Sequence, residues 1–218
     1  KIRGFDNIPV VSWLVLRGRC RDCKAPISAR YPAVEAATGL VFGLVAWWVG
    51  ASWTLPVLLL LAALTICLTL IDLDVQRLPD AIVLPSYPVV IALLVLASWA
   101  PGGVSDWPAL WRALVAGAAM FLAYFLMRFA YPRGMGFGDV KLAGVLGLVL
   151  GWWGISAVVV GFFAAFLLGG IFSIALIVAG KASRASKVPF GPWMFAGAWV
   201  GLVAGERLAE AYLGLVGL

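Results

Sequence analysis

The sequence predicts an all-α polytopic membrane protein with about seven membrane-spanning helices. Hydrophobic residues make up 64% of the 218 residues and charged residues only 12%. A soluble globular domain carries about twice that share of charge. The mean hydropathy is +1.05, and the apolar residues are gathered into separate stretches, several close to the roughly 20 residues that a helix needs to cross a bilayer. Together these observations exclude a soluble globular enzyme.

The apolar stretches follow a polar, basic segment at residues 1–30. We place them at residues 32–50, 53–71, 81–99, 109–130, 140–153, 155–180 and 189–204. The tail at residues 206–218 is mildly amphipathic, which fits either an interfacial helix or an extension of the seventh span. The predicted organisation is a cytoplasmic loop domain at residues 1–31 and a transmembrane bundle at residues 32–218.

The distribution of basic residues predicts the orientation. If the first 30 residues are cytoplasmic, the cytoplasmic side holds all but Arg112 and Arg207 of the 16 lysines and arginines. Cytoplasmic loops carry such an excess of positive charge. This orientation puts Asp72, Asp139 and the loop at residues 181–187 on the cytoplasmic side. The net charge of +6 then serves topology and attraction to anionic membrane lipid, so nucleic acid is not an expected partner.

Two aspartates are the strongest candidates for a functional site. Asp72 directly follows the apolar run of residues 68–71, and Asp139 follows a segment with three glycines at residues 134–138. A carboxylate at the edge of hydrocarbon is costly, so in a membrane protein it indicates function. Glycines let the backbone approach a partner closely. We therefore expect the two carboxyls to meet across the bundle.

Neighbouring acidic residues have simpler explanations. Asp80 follows Pro79 at a predicted helix start, where proline and an acidic residue are both favourable. Asp74 lies among polar residues and is interpreted as a solvated charge.

The chemistry that a pair of carboxyls supports is aspartic-type hydrolysis. The chain has no histidine, which excludes Ser-His and Cys-His mechanisms and imidazole metal ligands. Amide hydrolysis needs one carboxylate as general base and one carboxylic acid as proton donor. Two carboxyls held close together share one proton, and their titration belongs to the pair. The sequence leaves open which of the two holds the proton.

Five motifs in order carry a resemblance to a known family. Around the aspartates they are Asp-x6-Pro-Asp, from Asp72 to Asp80, and Gly-Phe-Gly-Asp-Val-Lys-Leu, from Gly136 to Leu142. The others are Asp-Asn-Ile-Pro at residues 6–9 continuing to Cys23, Pro-Ile-Ser to Glu35 at residues 26–35, and Pro-Phe-Gly-Pro at residues 189–192. The sequence resembles the type IV prepilin peptidases, the bifunctional leader peptidases/N-methyltransferases of bacterial pilus and type II secretion systems.

This resemblance implies that Asp72 and Asp139 are the catalytic pair of an A24-type aspartic endopeptidase. Such enzymes cut a short basic leader from prepilins and pseudopilins at a Gly–Phe-like junction on the cytoplasmic side. They then methylate the new N-terminus with S-adenosylmethionine. The resemblance also implies a place in the bacterial inner membrane, with prepilins and membrane lipid as partners, and eight spans in the intact family pattern.

The cysteines depart from the family pattern. Many members carry two Cys-x2-Cys pairs, and four thiolates form a structural zinc site. Here Cys20 and Cys23 form one such pair, which the resemblance interprets as half of a zinc site. We expect either an N-terminally shortened four-cysteine enzyme, with the other pair just before Lys1, or a natural variant without zinc. Cys67 lies in an apolar stretch and is interpreted as a small buried hydrophobe.

The methyl-donor site is less well defined. No Gly-x-Gly-x-x-Gly motif follows a predicted strand, so a Rossmann domain is not expected. The site must then be built from the cytoplasmic loop and helix ends. Asp6, Asn7 and Glu35 are candidates by position and chemistry, and local turn and capping roles are equally open for them.

Two alternative functions remain at this point. The first is a peptidase without methylation, as in the archaeal preflagellin peptidases, against which the loop motifs at residues 6–32 argue. The second is a transporter in which Asp72 and Asp139 relay protons. Transporters usually show paired repeats with broken helices in both halves, and the sequence shows no such repeat.

Overall fold

The computed structural model describes residues 3–132, 134–181, 183 and 188–217. Arg133 and residues 184–187 of the predicted cytoplasmic loop lie outside the described residues. Within the described residues, a short 3-10 helix at Gly4–Asn7 precedes eight α-helices. They are α1 (Val11–Val15), α2 (Arg30–Val49), α3 (Leu55–Val75), α4 (Asp80–Trp99), α5 (Trp107–Ala130), α6 (Phe137–Trp153), α7 (Ile155–Val178) and α8 (Gly191–Val216). The described residues form no strand beyond one isolated bridge.

Each predicted apolar stretch coincides with one long helix, α2 to α8. The helix of the fifth predicted stretch, α6, starts at Phe137 rather than at residue 140, so Asp139 lies in its first turn. The last helix continues to Val216 rather than ending at residue 204. The tail is therefore an extension of the seventh predicted span.

Five helices in the described part of the chain, α2 to α5 and α7, are long and apolar enough to cross a membrane. The remaining two long helices differ from them: α6 has 17 residues, and α8 carries Glu206, Arg207 and Glu210 in its C-terminal half. The prediction of an all-α, multi-pass membrane protein is confirmed. Among the described residues, five helices are both long enough and apolar enough, against the seven spans predicted.

The chain divides into two compact units, Lys1–Ile66 and Cys67–Leu218. In the first unit, the loop before α2 is held by the indole N–H of Trp13, which donates to the carbonyl oxygen of Ile27 at 2.9 Å. Gly18 has a φ of +69°, a left-handed conformation that favours glycine. The loop therefore has a defined internal structure.

In the second unit, α6 is the central helix. It packs against α4, α5, α7 and α8, and its residues from Leu142 to Gly151 are all buried. A helix that is apolar on all sides is expected to be buried in this way. Close approach depends on small residues: a Cβ at Gly147 would lie 2.7 Å from the carbonyl oxygen of Ala116 on α5. Glycines at helix interfaces in membranes allow such packing.

Candidate active site

Asp72 lies in the last turns of α3 and is 5% exposed. Its Oδ2 accepts a hydrogen bond of 3.0 Å from the backbone N–H of Gly191, the first residue of α8. The first N–H groups of a helix have no partner within it, and the helix dipole favours a negative group there. The start of α8 therefore orients the Asp72 carboxyl.

Asp139 is the third residue of α6 and is 9% exposed. Its Oδ2 accepts a hydrogen bond of 3.0 Å from the backbone N–H of Gly136, which immediately precedes the helix. This is one half of a capping box; Gly136 has no side chain with which to supply the other half. The carboxyl is thus folded back against the glycine-rich turn before its own helix.

The two carboxyls belong to one site. Both line a cavity of about 1630 Å³, and they are close enough for their charges to repel each other. Charged residues of both signs line the same cavity: Asp72, Arg77, Asp80, Arg128, Asp139 and Lys141. The structure therefore brings together the two aspartates that the sequence singled out. Asp74 is exposed and is not among the residues that line the cavity.

Leu78 lies beside two glycines of the site, Gly138 and Gly191. It is 8% exposed. A Cβ at Gly138 would lie 2.9 Å from the Leu78 Cβ, and a Cβ at Gly191 would lie 3.5 Å from the Leu78 Cδ2. The Gly191 Cβ would also lie 2.8 Å from the Asp72 Oδ2. Both positions therefore accept glycine and nothing larger without a shift.

Arg128, at the end of α5, holds the glycine-rich turn. Its Nη1 donates to the carbonyl oxygens of Met135 at 2.5 Å and of Pro132 at 3.4 Å. Its guanidinium also lies 5.6 Å from the ring centroid of Phe137. Through these contacts Arg128 fixes the turn that presents the Gly136 N–H to Asp139.

Lys141 is a second cation at this site, beside Arg128, and the sequence analysis did not identify it as a site residue. Asp80 begins α4, as predicted, but both of its carboxylate oxygens also lie 2.7 Å from the Nζ of Lys141. The same Nζ lies 4.9 Å from the ring centroid of Phe137. Lys141 lies within the motif from Gly136 to Leu142, two residues after Asp139, and this position could have indicated a role in the site.

Cys20 and Cys23 lie on a tight turn that the bridge between Arg19 and Pro26 closes. Hydrogen bonds from the backbone N–H groups of Cys23 and Asp22 lower the pKa of the Cys20 thiol. The described ranges contain no group of three or more metal-ligating side chains. Because a structural zinc takes four ligands, these two thiolates do not fit such a site by themselves. The half-site interpretation therefore has no support within the described residues.

The three candidates for the methyl-donor site share a second cavity, of about 900 Å³, in the first unit. Asp6, Asn7 and Glu35 all line it. Glu35 also accepts the backbone N–H of Val10 at 2.7 Å. Asp6 accepts from the Arg21 guanidinium at 2.8 to 3.1 Å, and this hydrogen bonding holds the pKa of Asp6 below its usual value. Asp6 and Glu35 thus have local structural roles as well.

Comparison with known proteins places this chain in a family. The model of the bacterial peptidase A24 N-terminal domain matches residues 1–49, and that of the type IV leader peptidase family matches residues 58–174. No solved structure matches.

Similar curated proteins carry the name prepilin leader peptidase/N-methyltransferase. The protein of Stutzerimonas stutzeri is 37% identical over 98% of this chain and 72% of its own length. The protein of Pseudomonas aeruginosa is 34% identical over 100% of this chain and 73% of its own length. The protein of Neisseria gonorrhoeae is 37% identical over 96% of this chain and 70% of its own length. The buried pair of carboxyls thus occurs in a chain that belongs to the type IV leader peptidase family.

Proposed function

We propose that this protein cleaves the basic leader of type IV prepilins and pseudopilins at a Gly–Phe-like junction, with Asp72 and Asp139 as the catalytic pair. The observation that carries the proposal is the shared cavity, which two buried carboxyls line from different helices. The names of the similar proteins support the substrate class.

In this mechanism one carboxylate removes a proton from the water that attacks the scissile carbonyl. The other, as a carboxylic acid, donates a proton to the carbonyl oxygen and then to the leaving amine. The pair holds the single proton that this division requires. The N–H groups of Gly136 and Gly191 each bind one carboxyl, which fixes the orientation of both groups before substrate enters.

The test is cleavage of a peptide with a basic leader and a Gly–Phe junction by the purified full chain in lipid nanodiscs. Asp72→Asn and Asp139→Asn should each lower kcat by on the order of a thousandfold, as losses of groups that act as a unit do. Asp74→Asn is the matched control, because Asp74 lies on the same helix as Asp72 and is exposed. Parent-like activity in either of the first two variants would refute the assignment.

Methylation of the new N-terminus is the second part of the proposal. The cavity in the first unit has a volume of about 900 Å³, within the range of small-molecule sites. S-adenosylmethionine would supply the methyl group when bound there, and the carboxylates of Asp6 and Glu35 would hold its positive charge. Asn7 adds an amide to the same cavity.

Methylation is tested separately from cleavage with a peptide that already lacks its leader. Asn7→Ala should lower the transfer of labelled methyl groups, whereas Asp72→Asn should transfer them at the parent rate. A parent enzyme that cleaves but never methylates would indicate a peptidase without methylation, the first alternative.

We also propose that the cavity lined by Asp72 and Asp139 faces the cytoplasm and that the protein lies in a bacterial inner membrane. Cys23 is an exposed thiol in the N-terminal loop. A membrane-impermeant maleimide should therefore label it in inverted membrane vesicles and not in spheroplasts. The opposite pattern of labelling would reverse the orientation.

A further inference from the structure

Lys141 is held by α4 at two points. Its Nζ lies 2.7 Å from each carboxylate oxygen of Asp80, and its backbone carbonyl accepts the hydroxyl of Tyr87 at 2.6 Å. Seven helical residues span about 10 Å, so the two contacts hold both the side chain and the backbone of one residue along two turns of α4. The start of α6 is thereby fixed against α4.

These contacts lie directly beside the reacting groups. Lys141 is two residues from Asp139, so any movement of the first turn of α6 displaces the Asp139 carboxyl. Asp80 follows the short segment at residues 76–79 that leaves α3, the helix of Asp72. The pair between Asp80 and Lys141 thus links the polypeptide that follows the first carboxyl to the turn that carries the second.

The exposure of the two partners is unequal. The side chain of Lys141 is 18% exposed, whereas that of Asp80 is 57% exposed. An exposed ion pair contributes little to stability by itself. Its position beside Asp139, together with the Tyr87 contact, is therefore a better explanation of the arrangement than a gain in overall stability.

We propose that Lys141 is a positioning residue for the peptidase reaction, holding Asp139 in register with Asp72 through Asp80 and Tyr87. The proposal rests on the proposed function of the aspartate pair. It assigns to Lys141 no contact with the substrate. A displacement of about 1 Å at a reacting group is enough to cost on the order of a hundredfold in rate.

The kinetic test compares the parent with Lys141→Met, Asp80→Asn and Tyr87→Phe in the full chain. Lys141→Met and Asp80→Asn should each lower kcat roughly ten- to a hundredfold while KM changes little. Tyr87→Phe should lower kcat in the same direction. The double variant with both Lys141→Met and Asp80→Asn should be no slower than Lys141→Met alone, because both changes break the same contact. Lys141→Arg should keep most of the parent rate. Lys181→Met is the control for Lys141→Met, because Lys181 is an exposed lysine.

Three results would overturn the proposal. Parent-like kcat in Asp80→Asn with a slow Lys141→Met would mean that the lysine charge acts on the substrate directly. A rise in KM with an unchanged kcat in Lys141→Met would also mean that the lysine acts on the substrate directly. Parent-like kcat in both variants would leave the pair without a role in the reaction.

A second measurement does not depend on cleavage. Amide hydrogen exchange in residues 136–143 should be roughly tenfold faster in Lys141→Met and Asp80→Asn than in the parent, because local opening becomes easier. Lys181→Met should exchange at the parent rate. Unchanged exchange in the first two variants would refute the positioning role whatever the activity. Faster exchange in an enzyme whose parent cuts no peptide would instead refute the proposed function.

Discussion

The backbone N–H of Gly191 donates to the Oδ2 of Asp72 across 119 positions of the chain, at 3.0 Å. Asp139 obtains the equivalent hydrogen bond from Gly136, only three positions away. One carboxyl is therefore oriented by a distant helix and the other by the turn before its own helix. The geometry of the pair depends on how α8 begins as much as on the two aspartates.

A methyl group at position 191 should disturb this contact. In Gly191→Ala the new Cβ would lie 2.8 Å from the Asp72 Oδ2, so the carboxyl or the helix start must move. We expect kcat for peptide cleavage to fall by roughly tenfold or more. Gly214→Ala on the same helix is the control, because nothing beyond the neighbouring backbone of its own helix lies within 4 Å of its added Cβ. Equal activity in the two variants would show that the contact is dispensable.

The contact between Gly138 and Leu78 allows a loss to be reversed. In Gly138→Ala the added Cβ would lie 2.9 Å from the Leu78 Cβ, which forces the turn before Asp139 to shift. Cleavage should slow by about tenfold, and Leu78→Gly in the same chain should recover part of the rate, because it removes the Cβ that the new methyl group meets. A double variant slower than Gly138→Ala would place the cause elsewhere.

Arg112 should affect stability and leave catalysis unchanged. It donates to the carbonyl oxygens of Gly151 at 2.8 Å and Trp152 at 2.6 Å, at the end of α6 opposite Asp139. The last carbonyls of a helix lack partners within it, and a hydrogen bond to a charged group contributes about 2 kcal/mol. Arg112→Met should therefore lower the apparent Tm measured in detergent while kcat stays at the parent value. The exposed Arg207→Met serves as control, and equal Tm values in the two variants would contradict the expectation.

Asp6 should titrate below the usual pKa of an aspartate. The hydrogen bonds from Arg21 favour the carboxylate and hold the pKa of Asp6 below its usual value. A depressed pKa in the folded chain means that the stabilisation is present above the ordinary pKa of an aspartate and is lost as the pH falls through the lowered one. Carboxyl ¹³C NMR of labelled aspartate should show a higher Asp6 pKa in Arg21→Gln. An identical titration in the parent and Arg21→Gln would exclude this cause.

The helices and the two aspartates were predictable because both depend on local composition. Long apolar runs bounded by polar residues give the helices, and Asp72 and Asp139 stand out because each lies where such a run meets polar chain. The end of α8 was less predictable. A hydrophobic stretch shows where the apolar part of a helix ends, and α8 continues past that point through charged residues that suit an exposed helix.

The contacts that orient the carboxyls were not predictable from local patterns. Gly191 acts through a backbone N–H, which every residue except proline possesses, so its residue type indicates no donor role. The motif at residues 189–192 was recognised without a function for this reason. The pair between Asp80 and Lys141 joins residues 61 positions apart, and periodicity within one helix contains no information about such a pairing.

The long sequence separation between Asp72 and Gly191 also has a consequence for biosynthesis. Ribosomes add roughly 5–20 residues per second, so the amide that completes the Asp72 environment is made on the order of ten seconds after the carboxyl it serves. Until the start of α8 has been made, a nascent chain contains both aspartates but lacks the group that orients the first. On the proposed assignment of Asp72, a nascent chain that has not yet reached Gly191 therefore cannot cleave its substrate.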